Sequence, residues 1–141
     1  MGSRTWLGVG CLILGLGLPA SASATTWQVT NQGDGPFTCP SASSCTLRGA
    51  IAQADIAGGG DVVQLPAGHY TVSVNPINVT AGMQIVGTAG PAATTLEQLS
   101  TTIGLLSIFS GEGDVTVSGL TPTGHEPNGA AIASQASAIV T

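Results

Sequence analysis

Positive charge is almost missing from this chain. Its 141 residues contain no Lys and only two Arg, Arg4 and Arg48, against seven acidic side chains. A protein that grips nucleic acid displaces counterions with several Lys or Arg. Adsorption to an anionic membrane surface uses the same residues. Neither partner is expected here. Reactive clusters are scarce as well. Gly8-Val9-Gly10 lies in an N-terminal apolar run, and Gly58-Gly59-Gly60 is not followed by a helix, so neither cradles a phosphate. His125-Glu126, in a loop bounded by Gly and Pro, is one His and one Glu, an incomplete metal site. No metal and no cofactor is expected.

What is present begins with an address. Arg4 precedes an apolar run from Trp6 to Leu18, Pro19 breaks it, and Ala22-Ser23-Ala24 is a small-x-small cleavage site. That layout is a secretory signal peptide. A membrane anchor fits less well, because the run is Gly-rich and short of the ~20 residues a span needs. Cys11 lies inside the apolar run rather than after it, which excludes a lipoprotein signal. Cleavage after Ala24 removes Arg4. Arg48 is then the only Lys or Arg against seven carboxylates, a formal charge of about −6. No membrane insertion is expected after cleavage. Low charge together with abundant Gly, Ser, Thr and Ala raises the question of disorder. The regular Val, Ile and Leu clusters answer it, since disordered chains lack them.

Two cysteines remain, Cys39 and Cys45. An even pair in an exported protein reads as a disulfide, contributing about 2 kcal/mol for so small a ring. Two Cys without further ligands make a poor zinc site.

Thr26-Trp27-Gln28-Val29-Thr30 alternates and is β-prone, with Trp27 and Val29 on one face. Asn31 to Pro36 is turn chemistry. Next comes the one helical segment. Thr46 is the N-cap, and Leu47, Ala50, Ile51 and Ala54 form an apolar stripe at helical spacing. Gly58-Gly59-Gly60 ends it. About three turns of helix are marginal alone, so this one must pack on something. Short strands follow: Val62–Leu65, His69–Val74, Ile77–Thr80, Met83–Val86, Thr94–Leu99, Leu105–Phe109, Val115–Leu120 and Ala130–Ala133. Their separators include Pro66-Ala67-Gly68, Asn75-Pro76, Ala81-Gly82, Ala89-Gly90-Pro91 and Gly111-Glu112-Gly113. The pattern is all-β and by itself fits a sandwich as well as a coil of strands. Ile85 and Ile108 stand about 23 residues apart, a separation within the range of solenoid repeats.

Cys45-Thr46-Leu47-Arg48-x-Ala50-Ile51, followed by Asp61-Val62-Val63-Gln64-Leu65-Pro66-Ala67-Gly68-His69-Tyr70, resembles the CSLREA-type segment. That segment opens many exported bacterial proteins with right-handed parallel β-helix repeats of the pectin-lyase-like fold. Met83 to Gly87 and Val115 to Thr121 resemble rungs of that family, and Gly124 to Ala131 resembles an inter-rung turn. The likeness covers essentially all of the chain after Ala24. It implies a signal peptide over 1–24, an N-terminal cap over 25–60 and the first rungs of a right-handed parallel β-helix over 61–141. Thr46, Leu47, Arg48 and Ile51 belong to the cap, with Leu47 and Ile51 plugging the first rung, since end rungs need covers. One position departs: Gly49 stands where the family has Glu, so the return bond of the Thr-x-x-Glu box is missing. No cover is read at the other end, where Ala138-Ile139-Val140-Thr141 is apolar and β-prone; either the chain is part of a longer protein, which is the expectation preferred, or its last rung is open to another chain.

Enzymes on polysaccharide occur on this fold. A glycosidase needs two carboxyls flanking one bond. Glu97, Glu112, Asp114 and Glu126 are candidates, with Glu112 and Asp114 read as a solvated turn. A pectate-type lyase would use an Arg base, and Arg48 lies on the lid. Arg48 is expected to pair with Asp55, Asp61 or nearby backbone carbonyls, and His69 to be an exposed strand residue. Asn78-Val79-Thr80 matches the glycosylation acceptor by chance. No catalytic residue is assigned. The expected function is a non-catalytic, secreted or cell-surface β-helix scaffold that binds polysaccharide or a surface protein. The alternative is the N-terminal part of a polysaccharide lyase or glycosidase whose catalytic rungs lie elsewhere.

Overall fold

The computed structural model describes residues 23–35, 39, 44–99, 104–124, 132–134 and 138–141. Residues 1–22 of the expected signal segment, His125-Glu126 and the rest of the expected inter-rung turn after Gly124 lie outside the described residues. The chain is mostly β, with a single helix among them.

That helix, α1, runs from Leu47 to Ala57. Thr46 has extended backbone, and its hydroxyl accepts a hydrogen bond from the Gly49 amide at 3.1 Å. Glycine at 49 leaves the reciprocal side-chain bond unmade. Gly58 closes the helix in the left-handed conformation, at φ +92°, where glycine carries no Cβ penalty. Leu47, Ala50, Ile51 and Ala54, the expected stripe, are all buried. Leu47 is 4% exposed and Ile51 1%. The helix packs against β1 (Thr26–Gln28), β2 (Asp61–Leu65) and β4 (Ile77–Gly87).

Among the described residues every strand pairing is parallel, which is not the pattern of an antiparallel sandwich. One sheet takes the order β1-β2-β4-β6-β8, where β6 is Leu106–Ser118 and β8 is Ile132–Ser134; β9 (Ala138–Val140) also pairs with β6. The other takes the order β3-β5-β7, from Gly68–Val72, Thr94–Gln98 and Thr121–Gly124. The pairings form three ladders. Asp61 to Leu65 align with Met83 to Gly87, whose Met83–Val86 segment aligns in turn with Val115–Ser118. Ile77 to Val79 align with Leu106 to Ile108 and those with Ile132 to Ser134. β3, β5 and β7 supply the third. Parallel strands need long crossovers, and here the chain visits the other ladders between successive strands of one. Inward positions stack like on like: Val63, Ile85 and Val117 in one column, Ile77, Leu106 and Ile132 in another. Each fully buried Val, Leu or Ile side chain in such a column contributes about 1.5–3 kcal/mol.

Two expected turns are not turns. Ala81-Gly82 and Gly111-Glu112-Gly113 lie inside β4 and β6, where the register shifts between Val79 and Ala81 and again before Met83. Small residues let a bulge bend a strand without ending its ladder, so four expected strands become two long ones. The spacing was misleading for the same reason. Ile85 is registered with Val117, not Ile108, which faces Val79. By contrast, Tyr70, Leu96 and Pro122 stack at an even interval of 26 residues. The strands at Thr121–Gly124 and Ala138–Val140 were not expected from the sequence.

One close approach brings the ends of β4 and β6 together. A Cβ on Gly87 would run into the Gly119 carbonyl, and Gly119 itself has φ +65°. Glycine is required at both positions.

If α1 plugs the core, Ile51→Ala should cost about 2–5 kcal/mol and Thr46→Ala about 1 kcal/mol. Ile56, on the same helix but 79% exposed, should cost less than about 0.5 kcal/mol when cut to Ala. Urea unfolding of the three variants checks this, and equal midpoints for the Ile51 and Ile56 variants would rule the plug out.

Candidate functional site

Helix α1 is held by one buried ion pair. Arg48 points from the first turn of α1 to Asp34, with Nε 2.6 Å from Oδ1 and Nη2 2.9 Å from Oδ2. Both side chains are almost wholly buried. The guanidinium also donates to the carbonyls of Asn75, at 2.7 Å, and Pro76. Oδ2 of Asp34 in turn accepts from the Ser73 and Val74 amides at 2.8 and 3.1 Å. The pair therefore ties three segments together: the loop before Gly35, the helix, and the connection from β3 to β4. The expectation of Asp55 or Asp61 as the partner of Arg48 was wrong; that of backbone carbonyls was right. Burial by itself pushes the Asp34 carboxyl up. The Arg48 hydrogen bonds and the Ser73 and Val74 amides outweigh it, and the net result lies below the ordinary carboxylate value.

Asp55 and Asp61 have other work. Asp55 Oδ1 accepts from the Thr80 and Ala81 amides at 2.9 and 2.8 Å. Those are the amides at the register shift of β4, where ladder pairing lapses, so the helix supplies the acceptor that the bulge lacks. Asp61, 1% exposed, accepts from the Thr25 amide at 2.8 Å and the Trp27 indole at 2.9 Å. It fastens β1 to the start of β2. Nothing in the local sequence marked Asp34 or Asp61, because each partner is distant along the chain; Asp34 stood among turn residues and read as turn chemistry.

The disulfide joins Cys39 to Cys45, directly before the Thr46 cap. The Cys45 carbonyl also receives the Thr30 and Asn31 amides, and the Cys45 amide donates to the Thr30 hydroxyl. A disulfide of this kind persists in oxidising compartments. No helix among the described residues is long and apolar enough to cross a membrane.

His69 is exposed on β3, as expected, and its Nε2 lies 2.8 Å from Glu97 Oε2 on the neighbouring strand. It belongs to an outward column with Thr95 and Thr121, beside a second column of Thr71, Glu97 and Thr123. A hollow of about 390 Å³ is an open groove where β4 and β6 bend. Its wall is the Gly58–Gly60 turn, its floor Gly82 and Gly113, and its polar groups include Gln84, Asp114 and Thr116. Gln84 and Thr116 are in register. Asp114 stands in a strand rather than the expected turn, and Glu112 is at the bulge opposite Ala81. A shallow floor of backbone edged by an amide, a hydroxyl and a carboxylate can hydrogen-bond a polyhydroxylated ligand. Among the described residues no group of three His, Cys, Asp or Glu is placed to hold a metal ion.

Asp34→Asn should cost about 3–5 kcal/mol near neutral pH, because Arg48 is left buried without its counter-charge. A lowered folded pKa makes the contribution of Asp34 complete above the ordinary carboxylate value, and lost as pH falls through the folded one. Urea unfolding from neutral pH to about pH 3 should therefore show a steeper acid loss in the parent than in Asp34→Asn. Comparison of the chain with family models, curated proteins and solved structures found no match.

Proposed function

We propose that this chain is the N-terminal cap and opening rungs of an exported right-handed parallel β-helix, serving as a non-catalytic scaffold outside the cell or at its surface. The observation that carries this reading is the combination of three parallel ladders with a helix whose apolar stripe is buried against them. A stack of rungs exposes an apolar end, and a cover there is what such a coil requires. The charged groups of the cap support a structural role too. Arg48, Asp34, Asp55 and Asp61 each spend their hydrogen bonds on holding segments together. The partners that suit the outward faces are polysaccharides or surface proteins. Columns of Thr, Gln and Ser along the strands match the hydroxyls of a glycan at regular spacing, with strands about 4.8 Å apart.

Two measurements test this. In an exporting bacterial host the protein should accumulate outside the cytoplasm with the mass of residues 25–141; retention inside the cytoplasm at full length sinks the export reading. Incubation with pectin and related polysaccharides should give binding in a sedimentation assay and no release of unsaturated uronides or new reducing ends. Sustained turnover by the purified chain would replace the scaffold with an enzyme.

A further inference from the structure

Asp61 is a buried carboxylate whose two hydrogen-bond donors, the Thr25 amide and the Trp27 indole, are both neutral. Among the described residues no cationic side chain lies in ion-pair contact with it. A buried carboxylate held only by neutral donors has its hydrogen bonds made but no counter-charge. The donor to Oδ1 is the backbone nitrogen of Thr25, at 2.8 Å. Thr25 is also the residue that follows the small-x-small site Ala22-Ser23-Ala24, and Ser23 and Ala24 are exposed.

We propose that cleavage between Ala24 and Thr25 converts that nitrogen into an α-ammonium which pairs with Asp61, so that maturation itself supplies the missing counter-charge. The inference rests on the export reading above. Hydrolysis of the Ala24–Thr25 amide adds one water, leaving a carboxylate on Ala24 and an amine on Thr25 that is protonated near neutral pH. The register is already set for the new pair: the Thr25 carbonyl accepts from the Val62 amide at 2.9 Å, and Thr26 is aligned with Val62. The nitrogen is thus held beside Asp61 from the carbonyl side whether or not residues precede it. Before cleavage a neutral amide N–H donates to the carboxylate; afterwards donor and acceptor carry opposite full charges, which adds an ion pair to the hydrogen bond. The precursor is the less stable form, which suits a chain that must cross a membrane unfolded.

The surroundings leave the pair to itself. β1 and β4 carry no titratable side chain. On α1, Arg48 is bound to Asp34, and Asp55 to the Thr80 and Ala81 amides. Asp114 of β6 edges the groove beyond the Gly58–Gly60 turn. An ordinary α-amino group titrates at about 7.7–8.0. Pairing raises that value in the folded protein, so the added stability is complete below the ordinary value and is lost as pH rises through the folded one.

The test compares residues 25–141 with a free N-terminus, the same chain acetylated on Thr25, and Asp61→Asn in both forms. Acetylation keeps the N–H donor and removes only the charge. A one-unit rise in the α-amino pKa makes the unfolding constant of the acetylated chain about tenfold larger at pH 6–7, with the two converging above about pH 10. In the Asp61→Asn background the difference should vanish; where that variant does not fold, the parent pair across pH decides alone. Equal unfolding of free and acetylated chains near neutral pH, or a difference that persists in Asp61→Asn, overturns the pairing even when export proceeds. N-terminal mass analysis of the exported protein is the separate arm. A mature chain beginning elsewhere than Thr25 overturns the inference through the cleavage site, whatever the purified chains show.

Discussion

The fold depends on seating a polar-ended helix over an apolar stack, and the bond that does so is the fork between Arg48 and Asp34. Leu47 and Ile51 supply the apolar contact but no direction, since burial is indifferent to orientation. The fork is planar and bidentate, so it fixes the azimuth of α1 against the loop before Gly35 and the connection at Asn75 and Pro76. A buried ion pair is not on average more stable than a well-packed apolar replacement. Its merit here is geometric, because a Leu pair could not also satisfy the Ser73 and Val74 amides and the Asn75 carbonyl. Arginine suits the place better than Lys, having several donors in a rigid plane.

The same economy extends to the other acids near α1. A chain with so few charges uses them where backbone groups would otherwise lack partners. Asp55 serves the bulge of β4, and Asp61 binds the strand that precedes α1 to the strand that follows it. Each contact joins residues at least 25 positions apart in sequence. They tie distant segments together rather than stabilise any local element, and the disulfide adds a further link between Cys39 and Cys45.

These long-range contacts mark the boundary of what could be read from the sequence. The helix was legible because Leu47, Ala50, Ile51 and Ala54 repeat at its own period and glycines end it. Most strands were legible through β-branched runs and turn residues. The glycines of Ala81-Gly82 and Gly111-Glu112-Gly113 misled because glycine signals a bulge and a turn alike, and only the neighbouring strand distinguishes them. The 23-residue interval from Ile85 to Ile108 misled because the spacing between registered positions is uneven: Val63 to Ile85 is 22 residues and Ile85 to Val117 is 32. The partner of Arg48 was illegible in principle. Seven carboxylates were available, and nothing local in the sequence favours a partner 14 residues upstream.

Stacked parallel strands separate the residues that hold the fold from those free to act. Inward columns need only be apolar and of similar size, as Val63, Ile85 and Val117 are, and the corners need glycine where backbones meet, as at Gly87 and Gly119. Outward positions such as Gln84 and Thr116, or Thr95 and Thr121, meet neither demand. Their side chains can change without disturbing a ladder hydrogen bond. A recognition surface on this chain is therefore specified by outward residues in register across strands, adjacent in space though more than 20 positions apart in sequence. Linear motifs along one strand are the wrong unit in which to look for it, because side chains alternate between core and solvent and only every second residue of a strand faces out. Activity in such a protein follows the columns, and the fold that displays them places no constraint on which ligand they meet.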